Sequence, residues 1–336
     1  MMTTPLASFG RILALVLPLS LASTRGASPG GYNPLATDPN TQPSHLELTV
    51  HDAARNRDIP IRVYLPTGTA TAPVVLFSHG LGGSRSGSAF LGEHWAARGY
   101  VAVFLQHPGS DESVWKDQPP GERMQALTKA ASVENFLLRV RDVPAVLSQL
   151  AVWNADKAHP LAGRLDMQKV GMSGHSFGAV TTEAVSGETL PLSGQEFTDP
   201  RIKAAVVFSP SAPQVGSAAK AFGAVKIPWL LMTGTKDLAP IGHADMQSRL
   251  AVYPALQGAP KYELVLHNAE HSVFTDRALP GDHEPRNPNH HRVILALSTA
   301  FWDAYLRKDA EALAWLNGPG PRSVMQPDDQ WQLSVP

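Results

Sequence analysis

Gly174-His175-Ser176-Phe177-Gly178 follows the short apolar stretch Val170-Gly171-Met172 and leads into Ala179-Val180-Thr181-Thr182-Glu183-Ala184-Val185. The order reads as strand, sharp turn, helix. Glycines at 174 and 178 let strand and helix approach closely, and the turn lifts the serine hydroxyl above the end of a sheet. The N-terminus of the following helix then faces that hydroxyl and favours negative charge there. In this setting G-x-S-x-G makes Ser176 a candidate nucleophile; without it, the motif is only a glycine-rich turn with an ordinary serine.

Outward from the motif, strand and helix take turns. Strands are expected at 45–50 and 59–65, joined by a hairpin at Asn56-Arg57-Asp58, and at 74–77, 100–105, 169–172, 203–208, 227–232 and 262–266. Helices are expected at 89–98, 133–150, 177–185 and 242–253, with one long final helix over 291–316. Such alternation implies an α/β fold with a mostly parallel central sheet and helices on both faces. The stretches 108–128, which carries Trp115, and 276–289 fit no regular element. Loops that long are functional or simple surface excursions.

The chain has 336 residues, 43% of them hydrophobic, with a formal net charge of −1. That suffices for a sizeable core and offers no basic footprint for nucleic acid. Arg11 precedes an apolar run over 12–22 and then small residues, the pattern of a secretory signal peptide, too short to span a bilayer. The expected organisation is a signal peptide over 1–24, a linker over 25–44, a catalytic domain over 45–318 and a loose tail over 319–336. The expected location is secreted or periplasmic, without a stable membrane anchor. There is no cysteine, so there is no disulfide, no Cys-linked lipid and no thiol nucleophile.

A serine needs a base, and the base an orienting acid. In hydrolases of this strand–turn–helix kind the three follow in the order Ser, Asp or Glu, His, at strand ends. Asp237, in Thr233-Gly234-Thr235-Lys236-Asp237, and His271, in Asn268-Ala269-Glu270-His271-Ser272, satisfy that order. The rivals are His267, His243, His290 and His291 for the base, and Asp199, Asp245 and Glu263 for the acid. The developing oxyanion needs backbone donors. These are expected from Phe177 N–H, next to the nucleophile, and from Leu81 N–H in Ser78-His79-Gly80-Leu81-Gly82. His79 is read as bracing that loop. His267 and His271 are four apart but not on a helix, so no metal is expected, and no cofactor.

These segments resemble the serine esterases of the α/β-hydrolase superfamily. Phe77-Ser78-His79-Gly80-Leu81-Gly82 and the Ser176 pentapeptide are similar to the dienelactone-hydrolase-like and platelet-activating-factor-acetylhydrolase-like group. Asp237-Leu238-Ala239-Pro240 and Ala269-Glu270-His271 are similar to the acid and base segments of bacterial cutinases and polyester hydrolases. The resemblance runs over residues 46–316. It implies an α/β-hydrolase fold and hydrolysis of small or polymeric esters through an acyl-enzyme. Two departures stand out. True dienelactone hydrolases use a cysteine nucleophile, absent here. Ser211 stands where cutinases carry a tryptophan that stacks on aromatic substrate, which speaks against aromatic polyesters unless Trp115 supplies the platform. Two other functions fit the same scaffold. A peptidase or amidase would need a site for flanking peptide, and a non-catalytic binder would lack one of the three candidates.

Overall fold

Successive residues along each inner strand point into different cores, as a pleated strand buried on both faces requires. Val75, Phe77, Ala102, Phe104, Val206 and Met232 enter one cluster, together with Trp95 and the helix residues Val293, Leu297 and Phe301. Their neighbours Val74, Leu76, Val101 and Val103 enter a second, with Val143, Val146, Leu147 and Leu150 of another helix. Val207, Trp229 and Leu231 enter a third, against Phe222 and Val252. The sheet is therefore covered on both faces.

The computed structural model describes residues 1–2, 31–39, 41–190, 193–242, 244–279 and 281–335. The expected signal peptide, Met1 and Met2 apart, lies outside the described residues. The chain divides into Met1–Gly31 and Tyr32–Pro336. Within the second unit, nine strands form one sheet: β1 (Ser44–Asp52), β2 (Arg57–Leu65), β3 (Ala72–Ser78), β4 (Val101–Leu105), β5 (Leu165–His175), β6 (Ile202–Phe208), β7 (Trp229–Lys236), β8 (Lys261–Glu270) and β9 (Gln330–Ser334). Their order is β1-β2-β4-β3-β5-β6-β7-β8-β9. From β4 through β8 all neighbours run parallel. β1, β2 and β9 join antiparallel at the two edges.

Four expectations change. The segment 319–336 is not a loose tail: Gln330–Ser334 pairs along β8, and Trp331 stacks on Tyr262 with ring centroids 5.7 Å apart. The alternation of Trp331 and Leu333 against polar neighbours is that of an edge strand. The final helix is two, Pro288–Leu306 and Ala310–Asn317. Lys308 takes a left-handed φ of 60°, and the Asp309 carboxylate caps the second helix by accepting from Glu311 and Ala312 N–H. The linker is docked from Tyr32 onward, where the Tyr32 hydroxyl donates to Asp303 at 2.8 Å. The stretch 108–128 also carries two short helices, Ser113–Lys116 and Arg123–Ala130.

The parallel register sets up the site. β5 ends at His175, β6 at Phe208, β7 at Lys236 and β8 at Glu270. The next residue in each case is Ser176, Ser209, Asp237 and His271, so four polar side chains line up along the carboxyl edge of adjacent strands.

Candidate active site

Ser176 sits at φ 58°, ψ −115°, a conformation costly for a residue with a Cβ. Its N–H is anchored to Phe208 O at 3.1 Å. The flanking glycines are required sterically. A Cβ on Gly174 would overlap the Gly178 carbonyl, and one on Gly178 would overlap that of Ser78. The helix Phe177–Val185 starts directly after Ser176. Its first N–H groups have no partner within the helix.

His271 Nε2 lies 2.8 Å from Ser176 Oγ, and Nδ1 lies 2.6 Å from Asp237 Oδ1. A carboxylate only accepts, so Nδ1 carries the proton and Nε2 is free to accept from the Ser176 hydroxyl. Asp237 is fully buried and saturated. Oδ1 accepts from His271 and forms an ion pair with Arg249 Nη2 at 2.9 Å, and Oδ2 accepts from Ser209 Oγ at 2.7 Å and Thr233 Oγ1 at 2.8 Å. Burial alone would raise its pKa; His271, Arg249 and the Ser209 hydroxyl outweigh burial and hold it well below the carboxylate range. His175, in the pentapeptide itself, donates from Nε2 to the His271 carbonyl at 2.9 Å and fixes the backbone of that residue. Burial and the neighbouring His271 push its pKa down.

On the other side of Ser176 lies the loop after β3. Among the described residues no intramolecular hydrogen bond takes up Leu81 N–H or Phe177 N–H. His79 Nε2 accepts from His107 N–H at 3.1 Å, so its Nδ1–H donates to Gly80 O, at 2.7 Å. That neutral, buried ring braces the loop.

Beneath it is a second Ser–His–Asp chain. His107 Nε2 lies 2.9 Å from Ser78 Oγ, and Nδ1 lies 2.9 Å from Asp142 Oδ2. All three side chains are 0% exposed, so this copy has no access to substrate. Burial pushes His107 down to about 4, which keeps it neutral. Arg139, also fully buried, donates to the Ser78 hydroxyl at 3.2 Å, to the His79 carbonyl, to Ser110 Oγ at 2.8 Å and to Thr181 Oγ1 at 3.1 Å. It stacks 4.6 Å from the Phe177 ring centre. One cation thereby ties the loop after β3 to the helix after Ser176.

Trp115 closes this side. Its Nε1–H donates to Gly82 O at 2.8 Å, with Arg123 lying 5.5 Å from its ring. It stands half-buried against the loop that holds Leu81, with its only polar donor already engaged.

The rivals stand elsewhere. His267 is exposed, and its carbonyl accepts from His290. His291 stacks on Phe90 at 3.8 Å. Asp199 pairs with Arg201, Asp245 caps the helix Met246–Leu250, and Glu263 accepts from Gln332. His243 lies outside the described residues. Among the described residues no group of three or more His, Asp or Glu is placed to hold a metal.

A family model described as PET hydrolase-like matches residues 60–279. The chain belongs to the PET hydrolase-like family. It is 25% identical over 321 residues to cutinase cut1 of Thermobifida fusca, covering 92% of this chain and 81% of that protein. It is 24% identical over 275 residues to cutinase est1 of Thermobifida alba, covering 82% and 74%. A 134-residue stretch is 30% identical to the platelet-activating factor acetylhydrolase of Cavia porcellus, covering 32% of this chain and 30% of that one. Both resemblances carried by the motifs are thus met among curated proteins. This PET hydrolase-like chain has the α/β-hydrolase fold and is a carboxylic ester hydrolase.

Proposed function

We propose that the chain is a serine esterase that works through an acyl-enzyme on Ser176. Ser176 attacks the ester carbonyl while His271 Nε2 takes its proton. Asp237 holds the Nδ1–H tautomer and stabilises the imidazolium that forms. Leu81 and Phe177 N–H groups receive the oxyanion. The alcohol leaves with the proton from His271, and water, activated by the same imidazole, releases the acid. The observation that carries this reading is the unbroken run from Ser176 Oγ through His271 to Asp237, with contacts of 2.8 and 2.6 Å, beside a strained turn. Ser176→Ala should lose on the order of 10⁶ in kcat. Near-wild-type turnover by the folded variant overturns the mechanism.

Polymeric esters are the second substrate reading, favoured by the family and by the cutinase relatives. Ser211 leaves no aromatic platform after β6, and its N–H is bound to Glu183 at 3.1 Å. Trp115 is then an aromatic face placed against the loop of Leu81, through its hydrogen bond to Gly82 O. Hydrolysis of an aliphatic polyester film but not an aromatic one would assign the preference to Ser211. We place the enzyme outside the cytoplasm, on the pattern of Arg11 and the apolar run 12–22. Among the described residues no helix is long and apolar enough to cross a membrane.

A further inference from the structure

Arg139 is fully buried, and among the described residues it donates only to neutral oxygens. The carboxylates of Asp142 and Asp111 act on it through space. A buried cation without a bonded carboxylate is costly. This one reaches both sides of the candidate oxyanion hole. Nη2 donates to His79 O, two residues before Leu81. Nη1 donates to Ser110 Oγ at 2.8 Å, and the Ser110 carbonyl accepts from Gly82 N–H at 2.9 Å, one residue after Leu81. Nε donates to Thr181 Oγ1 at 3.1 Å, and that hydroxyl donates to Phe177 O at 3.0 Å. The Phe177 ring centre lies 4.6 Å from the guanidinium.

The three hydroxyls are oriented to suit. His107 Nδ1 donates to Asp142, so Nε2 accepts the Ser78 proton at 2.9 Å and Ser78 Oγ turns a lone pair to Arg139. The Ser110 hydroxyl donates to His107 O at 3.3 Å. The Thr181 hydroxyl donates to Phe177 O. Each therefore offers an acceptor to the guanidinium. The buried Ser78–His107–Asp142 chain sets the polarity of this network.

We propose that Arg139 is a positioning residue that holds the Leu81 and Phe177 N–H groups in register as one oxyanion hole. The inference rests on the reading of Ser176 as nucleophile and of those two groups as its oxyanion donors. Arg139 acts on Leu81 through the residues that bracket it, and on Phe177 through Thr181 and the ring. Its planar fork spans both sides at once, which the single ammonium of a lysine does not.

The test is hydrolysis of p-nitrophenyl butyrate by wild type, Arg139→Met and Arg139→Lys, per active site titrated to completion with a fluorophosphonate. Oxyanion donors act in the transition state, so Arg139→Met should lose on the order of 10² in kcat while KM stays within about twofold. The Ki of an alkyl trifluoromethyl ketone, which forms a tetrahedral oxyanion on the serine, should rise by the factor that kcat/KM falls. Arg139→Lys keeps the charge but not the fork, and should recover less than about tenfold of the loss. A merely stabilising role lowers the number of titrated sites and leaves kcat per site alone. Wild-type kcat per site in Arg139→Met, a loss confined to KM, or full recovery in Arg139→Lys overturns the inference. If Arg139→Met does not fold, Thr181→Val and Ser110→Ala remove one arm each. Each should lower kcat at least about threefold with KM held; wild-type kcat in both overturns the inference. Ser176→Ala measured alongside separates the two claims. Turnover or titration there rejects the nucleophile itself, whereas a dead Ser176→Ala beside an active Arg139→Met rejects only the role of Arg139.

Discussion

Gly178 and Ser78 meet so closely that no side chain fits between them: a Cβ on Gly178 would overlap the Ser78 carbonyl. The contact joins the helix behind the nucleophile to the loop that carries Leu81. The two oxyanion donors of the proposed mechanism therefore share one rigid junction, which Arg139 reinforces from below.

Gly178→Ala should open that junction. A displacement near ~1 Å costs on the order of 10² in rate, so kcat/KM should fall by at least about that factor. Gly121→Ala, where an added Cβ meets nothing within 4 Å, should be silent. Equal activity of the two variants in an ester assay would mean the junction does not set the geometry.

Asp237→Asn should cost roughly 10⁴ in kcat, because an amide favours the wrong imidazole tautomer. The amide is also ill matched to its surroundings. It has two donors to place where the donors of His271, Ser209 and Thr233 and the ion-paired Arg249 already converge. If Asp237→Asn is nearly silent and a variant at Asp199 or Glu263 is crippled, the acid is wrongly assigned.

Asp142 is one group through which acid should weaken the fold. Burial would raise it, but His107 and Arg57 hold its carboxyl down at about 2. A carboxyl lowered in the folded state adds stability above its unfolded pKa, near ~3.9, and loses it as pH falls through the folded value. Asp142→Asn should therefore destabilise the protein by about 2 kcal/mol at pH ~7, and the gap should close between pH ~4 and ~2. Urea unfolding at several pH values measures it. A gap that stays constant down to pH ~2 would show that the charge of Asp142 is not what stabilises.

Trp115→Ala separates two roles. As a brace on Gly82 through its 2.8 Å hydrogen bond, it should lower kcat for p-nitrophenyl acetate and for bulky aryl esters alike. As a substrate platform, it should raise KM for the bulky esters and leave the acetate untouched. Equal kcat and KM on both substrates would remove Trp115 from the site.

Much of the candidate site is legible in the sequence, for a physical reason. Ser176, Asp237 and His271 each follow a short apolar strand, and a parallel sheet brings consecutive strand ends to one edge. The local turn chemistry of Gly174 and Gly178 marks the first of them. Arg249, Ser209 and Thr233 carry no such mark, because the segment Met246–Leu250 has no pattern that announces a buried guanidinium. Arg139 and Asp142 were open to recognition. They interrupt the apolar stripe of Val143, Val146, Leu147 and Leu150 on the helix Val133–Ala155, and charges on a buried stripe signal a partner. The strand Gln330–Ser334 escapes notice because five residues after a Pro- and Gly-rich stretch carry too little periodicity to separate from a tail.

Among the described residues are two Ser–His–Asp chains, one at Ser176 and one at Ser78; Ser176 is partly exposed, whereas Ser78, His107 and Asp142 are fully buried. The decisive measurement is to label the active enzyme with a fluorophosphonate and map the modified peptide. One adduct per chain is expected, on Ser176, with activity lost in proportion to labelling. An adduct on Ser78 or any other residue, or full labelling with activity retained, would contradict the assignment of Ser176 as nucleophile.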